Sequence, residues 1–155
     1  MKKRYYIAYG SNLNVRQMLQ RCPTARILGT ANLDGWQLLF KGSKTGSYLT
    51  IEKRKGSTAP VAVWEITEDD ERSLDHYEGY PNFYYKQELT VSFQGIKTGK
   101  TYTHKAMVYI MHEDRPLGLP SKYYVDVCAE GYRYFGFNID YLVDAINKSK
   151  TEERK

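Results

Sequence analysis

From Arg26 to Ile66 the chain runs as short apolar segments separated by glycine-bearing turns, and helical patterns stand before and after this block rather than inside it. Strands that succeed one another without intervening helices pair as antiparallel or mixed neighbours, which excludes a strictly alternating doubly wound fold. The segments read as strands over Arg26–Leu33, Trp36–Lys41, Tyr48–Arg54 and Pro60–Ile66, with turns at Asp34-Gly35, Gly42 to Gly46 and Gly56-Ser57. Ahead of the block, the apolar strand Tyr5–Tyr9 stops at Gly10. Asn12 or Asn14 can then cap a helix to about Arg21, ended by Cys22-Pro23.

Behind the block, Thr67 and Asp70 form a capping-box pattern, and Glu68, Asp69, Asp70 and Glu71 crowd the positive end of the helix dipole. That acid run reads as helix capping rather than as a metal site. Gly79 supplies a left-handed C-cap. Tyr84–Phe93 and Thr101–Met111 predict a hairpin with its tip between Gly95 and Gly99. Ser121 opens a helix in which Tyr123, Tyr124, Val127, Cys128, Gly131, Tyr134 and Phe135 recur at helical spacing, and Asn138 caps a last helix ending near Asn147. The expected architecture is α+β, a small mixed β-barrel with flanking helices. One domain is expected over 1–147, followed by a polar tail over 148–155.

Bulk properties exclude several function classes. The apolar runs are far too short to span a bilayer, and no continuous apolar core follows the basic N-terminus, so neither a membrane partner nor a secretory leader is expected. Cys22 and Cys128 lack paired spacing or a neighbouring histidine and read as reduced thiols, which points to a cytoplasmic location. The formal charge is +5, of which Lys2, Lys3 and Arg4 supply +3 and the segment after Asn147 supplies +2. Residues 5–147 are therefore formally neutral, the basic ends are expected to fray or be solvated, and the folded body carries no excess charge for specific nucleic-acid binding. His76, His104 and His112 do not form a zinc spacing, and no Gly-x-Ser-x-Gly elbow is present.

Two segments could carry chemistry. In Tyr9-Gly10-Ser11-Asn12-Leu13, a strand passes through a glycine into a helix. That arrangement would leave the amides of Ser11, Asn12 and Leu13 as donors for an anion, although a plain strand-to-helix turn has the same pattern. In Leu74 to Tyr84, Glu78 sits where a helix stops, with Tyr77, Tyr80, Phe83 and Tyr84 around it in sequence. A carboxylate walled by aromatic rings is desolvated and its proton affinity rises, as suits a base that must later act as an acid. The plain reading is an exposed acid at a C-cap, but an acid there opposes the dipole.

Taken together, the sequence resembles the gamma-glutamylcyclotransferase family. The matching pieces are Tyr6-Ile7-Ala8-Tyr9-Gly10-Ser11-Asn12-Leu13, the segment Gly29 to Leu33, Val63-Trp64-Glu65-Ile66, Leu74-Asp75-His76-Tyr77-Glu78-Gly79-Tyr80-Pro81 through Tyr84, and Pro120 to Tyr123. The resemblance implies a small barrel of mixed strands. It also implies a reaction in which the α-amino group of a gamma-glutamyl unit attacks its own γ-carbonyl, releasing 5-oxoproline and an amino acid or amine. On that resemblance, Tyr9 to Leu13 bind the gamma-glutamyl head, Glu78 is the acid/base, and Tyr84, Tyr109 and Tyr123 are pocket tyrosines. Tyr85 and Tyr124 compete for the first and last of those positions. No metal or cofactor is implied, the partner is a small gamma-glutamyl molecule, and a homodimer stays open. Glutathione-degrading relatives show a tryptophan shortly after a Tyr-Gly-Ser-Leu motif. Here Asn14-Val15-Arg16 follows instead, so a gamma-glutamyl amino acid is favoured over glutathione, with amines open. The alternative is a non-catalytic small-molecule-binding or interaction protein on the same fold.

Overall fold

The computed structural model describes residues 3–43 and 46–153. Five strands and four helices follow in order: β1 Lys3–Ala8, α1 Val15–Arg21, β2 Arg26–Ser43, β3 Gly46–Thr67, α2 Glu68–Glu78, β4 Tyr84–Gly95, β5 Thr101–Met111, α3 Lys122–Phe135 and α4 Asp140–Glu153. The strands close into a barrel in the order β1-β3-β2-β4-β5. Four of the pairings are antiparallel, and β1 runs parallel to β5, with Tyr6 opposite Met107. The sheet is therefore mixed and curled, as the strand block predicts.

The four strands expected between Arg26 and Ile66 are two long ones. Asp34 pairs with Thr58 and Trp36 with Lys53, so Gly35 faces the stretch 54–57 across a break in register. Gly35 and Gly56 have φ of +86° and +88°. Their left-handed backbone bends the ribbon without reversing it, which is a bulge rather than a turn. The reversal comes at the hairpin after Gly42, where Ser43 pairs with Gly46; Lys44 and Thr45 lie outside the described residues.

The core on the two faces of the sheet includes Ile7, Phe40, Ile51, Val61, Val63, Trp64, Ile66 and Met107, all buried. Each side chain of this size contributes roughly 1.5–3 kcal/mol when fully removed from water. Lys3 pairs with Glu65 at 3.4 Å and Arg4 with Glu71 at 2.8 Å, so these two basic residues open β1 rather than fray. Lys2, Arg154 and Lys155 lie outside the described residues. α4 does not stop near Asn147. It continues to Glu153, and Ser149 is buried with its hydroxyl donating to the carbonyls of Phe40 and Ala145, both at 3.3 Å. A single small residue at the right turn docks a segment whose composition is otherwise polar.

Candidate active site

The turn after β1, the end of α2 and the start of α3 come together around one cavity. Strand β1 delivers Tyr9 and Gly10 into a 3-10 turn, Ser11–Leu13. Asn14 caps α1, its side chain accepting from the amide of Gln17 at 3.1 Å and donating to the carbonyl of Val127 at 3.1 Å. This asparagine therefore fixes the loop to both α1 and α3. Helix α3 lies so close that a Cβ on Gly131 would stand 2.5 Å from the backbone of Leu13. Only a residue without a side chain allows that approach.

Glu78 is placed by α2. Thr67 and Asp70 form the full capping box at its start, and Gly79, at φ +64°, closes its end. Glu71 is held by Arg4 and Lys86, and Lys86 also reaches Asp75 at 2.8 Å. The acid run is thus capping and ion pairing. Among the described residues no group of three metal-ligating side chains comes together.

Between these elements lies a cavity of about 380 Å³, the size of a small-molecule site. Tyr9, Gly10, Ser11, Asn12, Glu78, Tyr84 and Tyr109 all line it. Among the described residues, Glu78 is its one charged lining side chain. Among the described residues the carboxyl has a single weak donor, Nδ2 of Asn12 at 3.5 Å. Burial pushes its pKa up to about 8, opposed by the Arg21 guanidinium. Arg21 stands behind the wall. It donates to Oδ1 of Asn12 at 2.7 Å and to Gln17 at 2.8 Å, and stacks over the Tyr77 ring at 3.6 Å. The Tyr77 and Ser11 hydroxyls share a hydrogen bond of 2.9 Å.

The profile of the gamma-glutamyl cyclotransferase, AIG2-like family matches residues 6–126. The chain belongs to that family. The bovine (Bos taurus) gamma-glutamylcyclotransferase is 32% identical over 144 residues, covering 88% of this chain and 73% of the relative. The human (Homo sapiens) gamma-glutamylcyclotransferase is 30% identical over the same coverage of 88% and 73%. A solved structure titled gamma-glutamyl cyclotransferase superposes with a TM-score of 0.78 at 27% identity, over 96% of this chain and 87% of that one.

Two residues expected at the site, Leu13 and Tyr123, do not line this cavity. Leu13 is buried beneath the loop, and its amide donates to the carbonyl of Gly10 at 3.0 Å, so it offers nothing to a ligand. The amides of Ser11 and Asn12 make no bond to another described backbone group. Tyr123 is 72% exposed and takes a bond from Gln17 at 3.3 Å, while Tyr124 faces the cavity. Periodicity held the clue. Tyr124, Val127, Cys128 and Gly131 share one face, whereas Tyr123 is followed at helical spacing by Asp126 and Glu130. Tyr85 points away from the cavity, its hydroxyl donating to Glu113 at 2.5 Å. Tyr6, Tyr48, Leu49 and Tyr77 also line the cavity and were not singled out as site residues in the sequence. For Tyr6 the signal was strand parity, since Tyr5 and Tyr6 must point to opposite faces.

Proposed function

We propose that this protein cyclises a gamma-glutamyl compound, releasing 5-oxoproline and a free amino acid or amine, with Glu78 as base and then acid. Membership of the family and the name shared by the bovine and human relatives support the reaction class. The observation that carries the residue assignment is a desolvated, lightly partnered carboxyl in an otherwise uncharged cavity.

The substrate brings both reacting groups, so the protein needs no nucleophile of its own. The α-ammonium of the gamma-glutamyl unit enters beside Glu78, and its positive charge favours the carboxylate. Glu78 takes one ammonium proton. The freed amine attacks the γ-carbonyl carbon, forming the ring C–N bond. The bond to the leaving nitrogen then breaks as that nitrogen takes the proton from Glu78. The carboxylate so regenerated removes the second proton from the ring nitrogen and passes it to the departing amine, which leaves as an ammonium. The free amides of Ser11 and Asn12 hold the α-carboxylate, and the tyrosine-lined walls keep the chain folded for attack.

A gamma-glutamyl amino acid is the favoured substrate, ahead of glutathione. Cys22 and Cys128 are free and buried, which suits a reducing, cytoplasmic setting. No helix of the described residues is long and apolar enough to cross a membrane. The test is 5-oxoproline release from a panel of gamma-glutamyl dipeptides, amines and glutathione, run beside Glu78→Gln. Release from none of them, with 5-oxoproline still bound, would move the chain to the binding-protein alternative.

A further inference from the structure

Four of the phenols lining the cavity, Tyr6, Tyr9, Tyr84 and Tyr109, divide by where their protons go. Tyr9 donates to the carbonyl of Tyr109 at 2.7 Å, Tyr84 to the carbonyl of Leu49 at 2.8 Å, and Tyr109 to Asp75 at 2.5 Å. A phenol has one proton, so these three present only lone pairs to a ligand.

Tyr6 is wired the other way. Its ring is buried, and its oxygen lies 2.9 Å from Nδ2 of Asn12. The direction of that bond is fixed by Arg21. A guanidinium cannot accept, so the Asn12 atom 2.7 Å from Arg21 must be the amide oxygen. The opposite edge of Asn12 is then NH₂, which only donates. Tyr6 accepts, and among the described residues its own proton has no acceptor. The same Nδ2 stands 3.5 Å from Glu78, so Tyr6 and the carboxyl flank one end of the cavity.

We propose that Tyr6 is a further catalytic residue, donating its hydroxyl proton in a hydrogen bond to the γ-carbonyl oxygen as negative charge gathers there during ring closure. The proposal rests on the cyclisation reading above. As the ring C–N bond forms, the carbonyl π pair moves onto oxygen and meets the Tyr6 donor. When the bond to the leaving nitrogen breaks, the pair returns to re-form the carbonyl, and the leaving nitrogen takes its proton from Glu78. Tyr6 keeps its own proton throughout, because burial and the neighbouring Glu78 hold its pKa far above the ordinary value. The Asn12 donor polarises the O–H and strengthens it as a donor. A fixed dipole aimed at developing charge needs no reorganisation during the reaction.

The test is Tyr6→Phe in the full chain, with kcat and KM measured across pH on whichever gamma-glutamyl compound turns over best. Loss of such a donor is expected to lower kcat by about 10²–10³-fold. KM should change by less than about threefold, since the bond strengthens only on the way to the transition state. The pH midpoint should not move. A parental kcat, or a raised KM with kcat kept, overturns the assignment. So does a shifted midpoint whose plateau recovers the parental rate, because Tyr6 would then act through Glu78. If the Phe protein does not fold, 3-fluorotyrosine placed at position 6 keeps the hydroxyl and makes it a stronger donor. A change in kcat supports the proposal, and an unchanged kcat overturns it. Glu78→Gln runs in parallel. If no gamma-glutamyl compound yields 5-oxoproline with the parent protein, the cyclisation reading falls; if Glu78→Gln is inactive while Tyr6→Phe is unimpaired, only the Tyr6 assignment falls.

Discussion

Asp75 and Glu78 lie one turn apart on the same helix, and their surroundings are opposite. Asp75 takes the Tyr109 hydroxyl at 2.5 Å and the Lys86 ammonium at 2.8 Å on one oxygen, and Lys86 is anchored again on Glu71 at 2.6 Å. Glu78 has one long contact to an amide and no cation within bonding range among the described residues. A carboxylate engaged by a phenol and an ammonium holds walls together. One left short of donors in an aromatic cavity binds a proton more tightly, and it can pass that proton on. The contrast separates two acids that look alike in the sequence.

The largest test of that contrast is kinetic. Glu78→Gln keeps the shape but cannot exchange protons at neutral pH, and turnover is expected to fall by about 10²–10⁴-fold. Affinity for 5-oxoproline should largely persist, because the loop donates separately. Asp75→Asn should retain the chemistry. Comparable losses of kcat in both variants, measured on folded samples, would dissolve the distinction. On the alkaline side of the comparison, kcat/KM should rise as pH approaches about 8, where the free Glu78 carboxyl ionises.

The loop offers the next largest effect. A Cβ at Gly10 would stand 3.2 Å from the Tyr124 hydroxyl and 3.4 Å from Leu49, inside the cavity. Gly10→Val adds two methyls beyond it, and 5-oxoproline affinity is expected to drop at least about tenfold. Unchanged affinity in a calorimetric titration would take the carboxylate site away from this loop. Asp75→Asn should have a smaller effect, on stability. It removes one charged partner of Lys86 while Glu71 remains, so a loss of about 1.5 kcal/mol in denaturant unfolding is expected.

Much of this was legible in the sequence because local physics fixed it. The capping box of Thr67 and Asp70 and the left-handed Gly79 are each decided within four residues and lie where the pattern put them, and the first cap falls to Asn14, one of the two asparagines the pattern offered. What failed needed long-range information. Asp34-Gly35 and Gly56-Ser57 carry turn chemistry, but the strands on either side find the same partner across the gap, so the ribbon bulges and continues. Leu13 belongs to the loop motif yet is pressed under Gly131, a contact between residues 118 positions apart. Parity puts Tyr6 on the face opposite Tyr5, but its proton direction depends on Arg21 and Asn12, which only the fold brings together. The polar character of 148–155 says nothing of Ser149, which a single helical turn carries onto the carbonyl of Phe40.

The dependence of stability on pH isolates Glu78 from every other group. Unfolded, its carboxyl titrates near 4.5, while in the folded protein burial raises it to about 8. Between those values the native state still holds a proton that the unfolded chain has released. The unfolding free energy therefore falls as pH rises through this window, since the native state binds more protons than the unfolded state. Below about pH 4.5 both states are protonated and the penalty vanishes; above about 8 it is fully felt. A glutamine has no such term, and all other titrating groups are common to the two proteins. The Tm advantage of Glu78→Gln over the parent should thus be larger at pH 8.5 than at pH 5. Were the carboxyl solvated instead, a pH-dependent contribution of the same sign would come from removing an anion at the C-terminal end of α2. That contribution follows the unfolded carboxyl and is complete by about pH 6 if Glu78 is ordinarily solvated. Scanning both proteins at pH 5, 6.5 and 8.5 separates the two: an advantage that stops growing at 6.5 would show a solvated acid at a helix end, and one that keeps growing to 8.5 marks the carboxyl that the cavity keeps protonated.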